Sequence, residues 1–197
     1  PVQILYLSER ICGICGIVSG HVGEHPDPLA VQQACDAIRH RGPDHGATRS
    51  LGPCVLGYRR LRVIDLATGD QPVANEADDV VVVFNGEIYN FRELRADLES
   101  HGHVLTGTGD TPALPHLYEE YGDRFVERLN GMFALALWDR SRERLLRARD
   151  RFGKKPLLYT QLADGTIAFA SELKALLAFP GVDRRVDLAR LDAYLAL

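Results

Sequence analysis

Apolar and polar positions alternate most clearly over residues 11–18 (Ile-Cys-Gly-Ile-Cys-Gly-Ile-Val), a β-branched run that predicts a buried strand. A helix is predicted next: Asp27 offers an N-cap acceptor and Pro28 suits the first helical position. Val31, Ala34, Cys35 and Ile38 then fall on one face. Residues 40–46 (His-Arg-Gly-Pro-Asp-His-Gly) cannot continue that helix and read as a turn-rich loop. Residues 55–64 predict a strand, interrupted by Arg59 and Arg60, a pair that looks exposed. The wholly apolar residues 80–84 predict a strand covered on both faces, running into a loop that starts at Asn85-Gly86. Asn90 and Glu93 form a capping-box pattern for a helix that Gly102 ends.

Further helices are predicted around 114–121 and 123–129, and hairpins at 132–139/144–150 and 157–160/166–170. Ser171 is expected to cap a helix stopped by Pro180-Gly181, and Asp187 to cap the last one. Strands joined by short turns, with helices in separate blocks, predict an α+β sandwich of antiparallel sheets.

Composition narrows the class. The 197 residues suit one domain of generous size, and 23 basic against 27 acidic residues give a net charge of −4. That balance argues against nucleic acid and against an anionic membrane surface as partners. No apolar run approaches the ~20 residues of a membrane span. Residues 1–11 lack the pattern of a signal peptide, and four cysteines in a chain this long suit a reducing cytoplasm rather than a disulfide scaffold. No zinc pattern is present, because Cys35 and Cys54 stand alone and the seven histidines show no ligand spacing; no metal is expected.

Candidate chemistry starts at Cys12, a thiol at the head of a strand, whereas Cys15 reads as a small buried hydrophobe. Asn85 and Gly86, after a buried strand, offer a side-chain amide and a backbone N–H that can converge as an oxyanion hole, or a plain Asn-Gly turn. Arg60 suits a buried carboxylate partner, a substrate carboxylate, or a solvated edge. Asp110 can hold an ammonium group or cap the next helix, and Glu87 is a second acidic candidate or a solvated loop residue.

Taken in order, Cys-Gly-Ile-x-Gly at 12–16, His40-Arg41-Gly42-Pro43-Asp44, Arg60-Leu61, Asp65-Leu66 with Gln71-Pro72, and residues 84–90 (Phe-Asn-Gly-Glu-Ile-Tyr-Asn) form a specific set. Gly109-Asp110-Thr111, residues 130–134 (Asn-Gly-Met-Phe-Ala) and Arg149-Asp150-x-x-Gly153-x-Lys155-Pro156-Leu157 complete it. The chain resembles the glutaminase domain of glutamine-hydrolysing asparagine synthetases, a class II glutamine amidotransferase. The resemblance implies a four-layer αββα sandwich of the N-terminal-nucleophile hydrolase type. It implies Cys12 as nucleophile on the amide of L-glutamine, with its own α-amino group as base, at an ordinary pKa of about 7.7–8.0. Asn85 and Gly86 would hold the oxyanion, Arg60 with Leu61 the substrate carboxylate end, and Asp110 and Glu87 the α-ammonium.

Residues 1–11 would then be an extension or propeptide, 12–185 the amidotransferase domain, and 186–197 the start of a connection to a synthetase domain. No cofactor is expected in this domain; ATP and Mg²⁺ are implied for the synthetase half, whose Ser-Gly-Gly-x-Asp-Ser loop does not occur in the 197 residues. The ammonia would go to aspartate, or to another acceptor such as a sugar or peptide carboxylate; a silent scaffold domain with an unprocessed N-terminus, and a homodimer, are further expectations. Gly109, Pro112, Lys154 and Leu158 replace the family's usual Ser, Glu, Ile and Tyr, and Pro115 is expected to delay the helix after Asp110.

Overall fold

A computed structural model describes residues 12–61 and 69–196. The expectations for residues 1–11 and for Asp65-Leu66 lie outside these described residues. The alternation at the front of the chain becomes β1 (Gly13–Val18), the centre of a five-stranded sheet. Its neighbours are β3 (Cys54–Arg60), itself paired with β2 (His45–Leu51), and β9 (Ile167–Ala170), itself paired with β8 (Leu158–Gln161). A four-stranded sheet has the order β4 (Val73–Ala74), β5 (Val80–Ile88), β6 (Gly131–Asp139), β7 (Arg144–Arg149). Every pairing between these named strands is antiparallel.

The period of two along each strand divides the side chains into layers. Ile14, Leu56, Tyr58, Val81, Val83, Ala134, Ala136, Trp138 and Phe169 pack between the two sheets. Cys15, Ile17, Val55 and Ala168 point the other way, onto α1 (Pro28–Ala37) and α4 (Leu173–Leu176). Val80, Val82, Phe84, Leu135 and Leu137 cover the outer face of the second sheet. They meet α2 (Phe91–Ser100), α3 (Ala113–Tyr121) and the 3₁₀ turn Gly122–Arg128. The order is helix, sheet, sheet, helix, the αββα sandwich. α5 (Leu188–Leu195) follows the last turn, capped by Asp187 onto Ala189 and Arg190.

Several expectations are corrected. His45 and Gly46, expected in the loop, open the strand β2, because β3 offers a full ladder of partners to a stretch with little apolar signal of its own. Arg59 and Arg60 are buried, at 8% and 3% exposure, since β3 lies inside the sheet. Asn85-Gly86 is not a turn: β5 continues through Ile88 in register with β6. Gly86 is required there by close approach, because a Cβ would run into the backbone of Met132 and Phe133.

Asn90 makes no side-chain cap; its amide instead joins the Arg128 carbonyl and the Asn130 N–H at 3.0 Å each. The segment 123–129 is a 3₁₀ turn within Gly122–Arg128. Ser171 caps nothing: its Oγ accepts from the Ile14 N–H at 3.0 Å, tying the end of β9 to β1, and α4 is only four residues long. Pro115 falls in the first turn of α3, which starts at Ala113, so the helix is indeed delayed past Asp110. Among the described residues no helix is long and apolar enough to cross a membrane.

Candidate active site

β1 brings Cys12 to the rim of a cavity of about 470 Å³ between the sheets and the loop before α3. Cys12 Sγ accepts hydrogen bonds from the Tyr58 hydroxyl and the Leu61 N–H, both at 3.4 Å. Its backbone carbonyl accepts from Arg41 Nε at 3.2 Å, and the same guanidinium donates to Glu172 Oε1 at 3.0 Å. The thiol is thus held from both sides by β3 and by the loop after α1. Burial drives the Tyr58 hydroxyl's pKa far up, with the neighbouring Cys12 thiol adding to the shift, so it stays a donor toward the sulfur. Cys15 lies on the opposite face, fully buried 3.3 Å from the Cys35 sulfur, with its own thiol pKa pushed well up by that contact and by burial. The alternation of β1 therefore separates an accessible thiol from an inert one.

Arg60, Leu61, Gly86, Glu87 and Asp110 line the cavity with Cys12, so most of the expected site residues converge. Arg60 Nη1 donates to Asp70 Oδ1 at 2.6 Å, which anchors the guanidinium beside the cavity. Asp110 Oδ2 accepts the Ile88 N–H at 2.8 Å, so this carboxylate seals the end of β5 rather than capping α3. Burial raises the Asp110 pKa against those hydrogen bonds. It also raises that of Glu87, with Asp110 adding to the effect and Lys155 opposing it.

Asn85 does not line the cavity. It follows Val81 and Val83 by the strand period and so faces the layer between the sheets, where Cys12 also packs. It is fully buried, and neither amide atom has a hydrogen-bond partner among the described residues. An orphaned buried amide is costly and needs a reason.

Three residues with no assigned role in the sequence reading belong to the site. Tyr58 shared a face with Arg60 two positions on, which is the signal that could have found it. Lys155 is 4% exposed and lines the cavity; burial, then Arg41, lowers its pKa, while the Cys12, Asp150 and Glu87 groups oppose that. Gln71 clamps the edge of β5, donating to the Phe84 carbonyl at 3.0 Å and accepting the Phe84 N–H at 2.6 Å.

A thiol at a strand head, open to a cavity carrying cations and carboxylates, suits covalent attack on a small zwitterion. Residues 11–197 match the family described as the glutamine amidotransferase domain. The chain belongs to that family. This amidotransferase domain is 40% identical over 179 residues to "Asparagine synthetase [glutamine-hydrolyzing] 2" of Bacillus subtilis (strain 168), covering 90% of this chain and 24% of the relative. It is 37% identical over 189 residues to "Asparagine synthetase [glutamine-hydrolyzing] 3" of the same organism, covering 95% of this chain and 31% of the relative. The domain thus spans about a quarter to a third of the length of these relatives. Glutamine phosphoribosylpyrophosphate amidotransferase from B. subtilis, solved with ADP and GMP, superposes with a TM-score of 0.68 at 21% identity, over 85% of this chain and 43% of that one. The fold the two share is the sandwich of two antiparallel sheets between helices.

Proposed function

We propose that this domain hydrolyses L-glutamine to glutamate and ammonia through a thioester on Cys12. The observation that carries this is Cys12 Sγ on the rim of a cavity that also holds Arg60, Glu87 and Asp110. Arg60 takes the α-carboxylate, and Asp110 with Glu87 the α-ammonium, which leaves the side-chain amide toward the sulfur. The sulfur attacks the amide carbon, the C–N bond breaks as ammonia leaves with an added proton, and water then cleaves the C–S bond to give glutamate. The Gly86 N–H on the cavity wall receives the oxyanion, joined by the orphaned Asn85 amide once that side chain turns from the layer between the sheets toward the cavity, and the Tyr58 hydroxyl holds the sulfur in place. The base is the α-amino group of Cys12, so residues 1–11 have to be removed.

The relatives' names support ammonia delivery to an asparagine-synthesising partner domain. In this reading that partner holds ATP and Mg²⁺ and amidates aspartate in the cytoplasm. In the test, glutamate formation is followed for the 197-residue chain, for a chain beginning at Cys12 and for its Cys12→Ala variant, each N-terminus checked by mass. The trimmed chain is expected to exceed the unprocessed one by about 10²-fold or more, the usual worth of a positioned general base. Equal rates would refute the α-amine as base, and activity in the Ala variant would refute Cys12 as nucleophile. Amide-¹⁵N glutamine supplied to the longer protein with aspartate and ATP identifies the acceptor by where the label appears.

A further inference from the structure

The loop between α2 and α3 carries His103, and α3 carries His116 and Glu119. Along the sequence the seven histidines show no ligand spacing, and His103 reads as a residue near a helix end. The fold brings His103, His116 and Glu119 together: one nitrogen of each imidazole and one Glu119 oxygen all lie within 4.8 Å of one another. Glu119 Oε2 is 3.1 Å from His116 Nδ1 and 4.0 Å from His103 Nδ1. The two rings meet edge to face, with centroids 5.2 Å apart and planes at 66°, so their edges converge rather than stack. His116 is 4% exposed, which shields one side of the cluster from water.

We infer that His103, His116 and Glu119 form a binding site for a divalent transition-metal ion, with zinc the foremost candidate. Two imidazoles and one carboxylate are the donor set of borderline ions such as Zn²⁺, Co²⁺ and Ni²⁺, not of Mg²⁺ or Ca²⁺. Zinc bonds of ~2.0–2.2 Å place tetrahedral ligand atoms about 3.4 Å apart, so closure needs movements of about 1 Å in one loop residue and one partly exposed glutamate.

Outer partners are already in place, as metal ligands need. Glu120 Oε2 lies 3.4 Å from His103 Nε2, where it takes the far N–H and leaves Nδ1 for the metal. Asn75 Nδ2 donates to Glu119 Oε1 at 2.7 Å and leaves Oε2 free to ligate. Glu76, 3.6 Å from His116 Nδ1, is placed to supply a fourth ligand. The ion would also pin the loop whose later residues Thr108, Gly109 and Asp110 line the glutamine cavity. The site is separate from Cys12 and does not rest on the proposed reaction.

The test uses tag-free, chelator-treated protein of residues 1–197, titrated with Co²⁺ and then Zn²⁺. One equivalent of Co²⁺ is expected to give visible d–d bands without the near-ultraviolet charge transfer of thiolate ligation. Zn²⁺ should displace it and raise the thermal midpoint. His103→Gln and Glu119→Gln should each weaken binding by 10-fold or more, and Glu120→Gln by about 10-fold as an outer partner. His103 and Glu119 are partly exposed, so these variants should keep the fold, which far-ultraviolet circular dichroism checks; Cys12→Ser should bind as the unaltered chain does. No bound equivalent, a thiolate band, or binding that survives His103→Gln and Glu119→Gln in folded protein would overturn the assignment.

Discussion

Asp150 is the side chain whose removal should be felt most widely around the site. Its carboxylate is 5% exposed and accepts four backbone N–H groups. Oδ1 takes Phe152 at 3.1 Å and Lys154 at 2.9 Å, while Oδ2 takes Phe133 at 3.2 Å and Lys155 at 3.0 Å. It therefore ties β6 to the turn that presents Lys155 to the cavity. The Phe133 and Lys155 bonds are buried, and Asp150→Ala strands both donors at about 1–3 kcal/mol each. The other two donors can reach water and lose less, so the total is about 3–5 kcal/mol, against a typical stability of ~5–15 kcal/mol.

Asp150→Asn keeps one acceptor oxygen and presents an NH₂ group to the remaining donors, so it should lose about half as much. Burial on its own would raise the Asp150 pKa, but the four N–H donors outweigh it and hold the value below the usual 3.8. A depressed folded value means that the stabilisation is complete above the unfolded pKa of ~3.9 and is lost as pH falls through the folded one. The gap between the unaltered chain and Asp150→Asn should be flat near neutrality and shrink only in that acid range. Urea unfolding followed by the fluorescence of Trp138, the single tryptophan and 1% exposed, measures all three chains. A loss under about 1 kcal/mol for Asp150→Ala, or an Asn variant as stable as the unaltered chain, would refute the reasoning.

Three further outcomes follow from the proposed chemistry. Arg60→Ala should raise the KM for glutamine about 10–100-fold, the worth of one charged hydrogen bond. Arg59→Ala should leave KM unchanged, since Arg59 Nε is spent on the Gly42 carbonyl at 3.1 Å. Parallel steady-state kinetics decide, and similar KM values would remove Arg60 from the carboxylate end. Asn85→Ala should lower kcat by about 10²–10³ with little change in KM, as for a lost oxyanion donor; an unchanged kcat would leave the buried amide without a catalytic role. Glu87 and Asp110 hold an ammonium only when ionised, and both pKa values are raised, mainly by burial. Glutamine KM should therefore rise as pH falls through those raised values, above the ordinary carboxylate range. Asp110→Asn should flatten that limb, and an identical pH profile for the variant would argue against the assignment.

The alternation of residues 11–18, the one-sided apolar helix 28–38 and the apolar strand at 80–84 were legible because each carries its own period, and period alone selects helix or strand and its buried face. The site was legible as a set of motifs, since Cys12, Arg60, Gly86, Glu87 and Asp110 do meet at one cavity. Their separations of up to 98 residues are closed by antiparallel pairing that no local signal encodes. Only tertiary structure turned 45–51 into a strand and carried Asn85-Gly86 past its turn preference, because a neighbouring ladder outbids weak local propensity. The same holds for Tyr58 against the Cys12 sulfur, Asp150 beneath Lys155, and His103 beside His116. In each case the chemistry resides in a distance between elements, and sequence records the elements but not the distance.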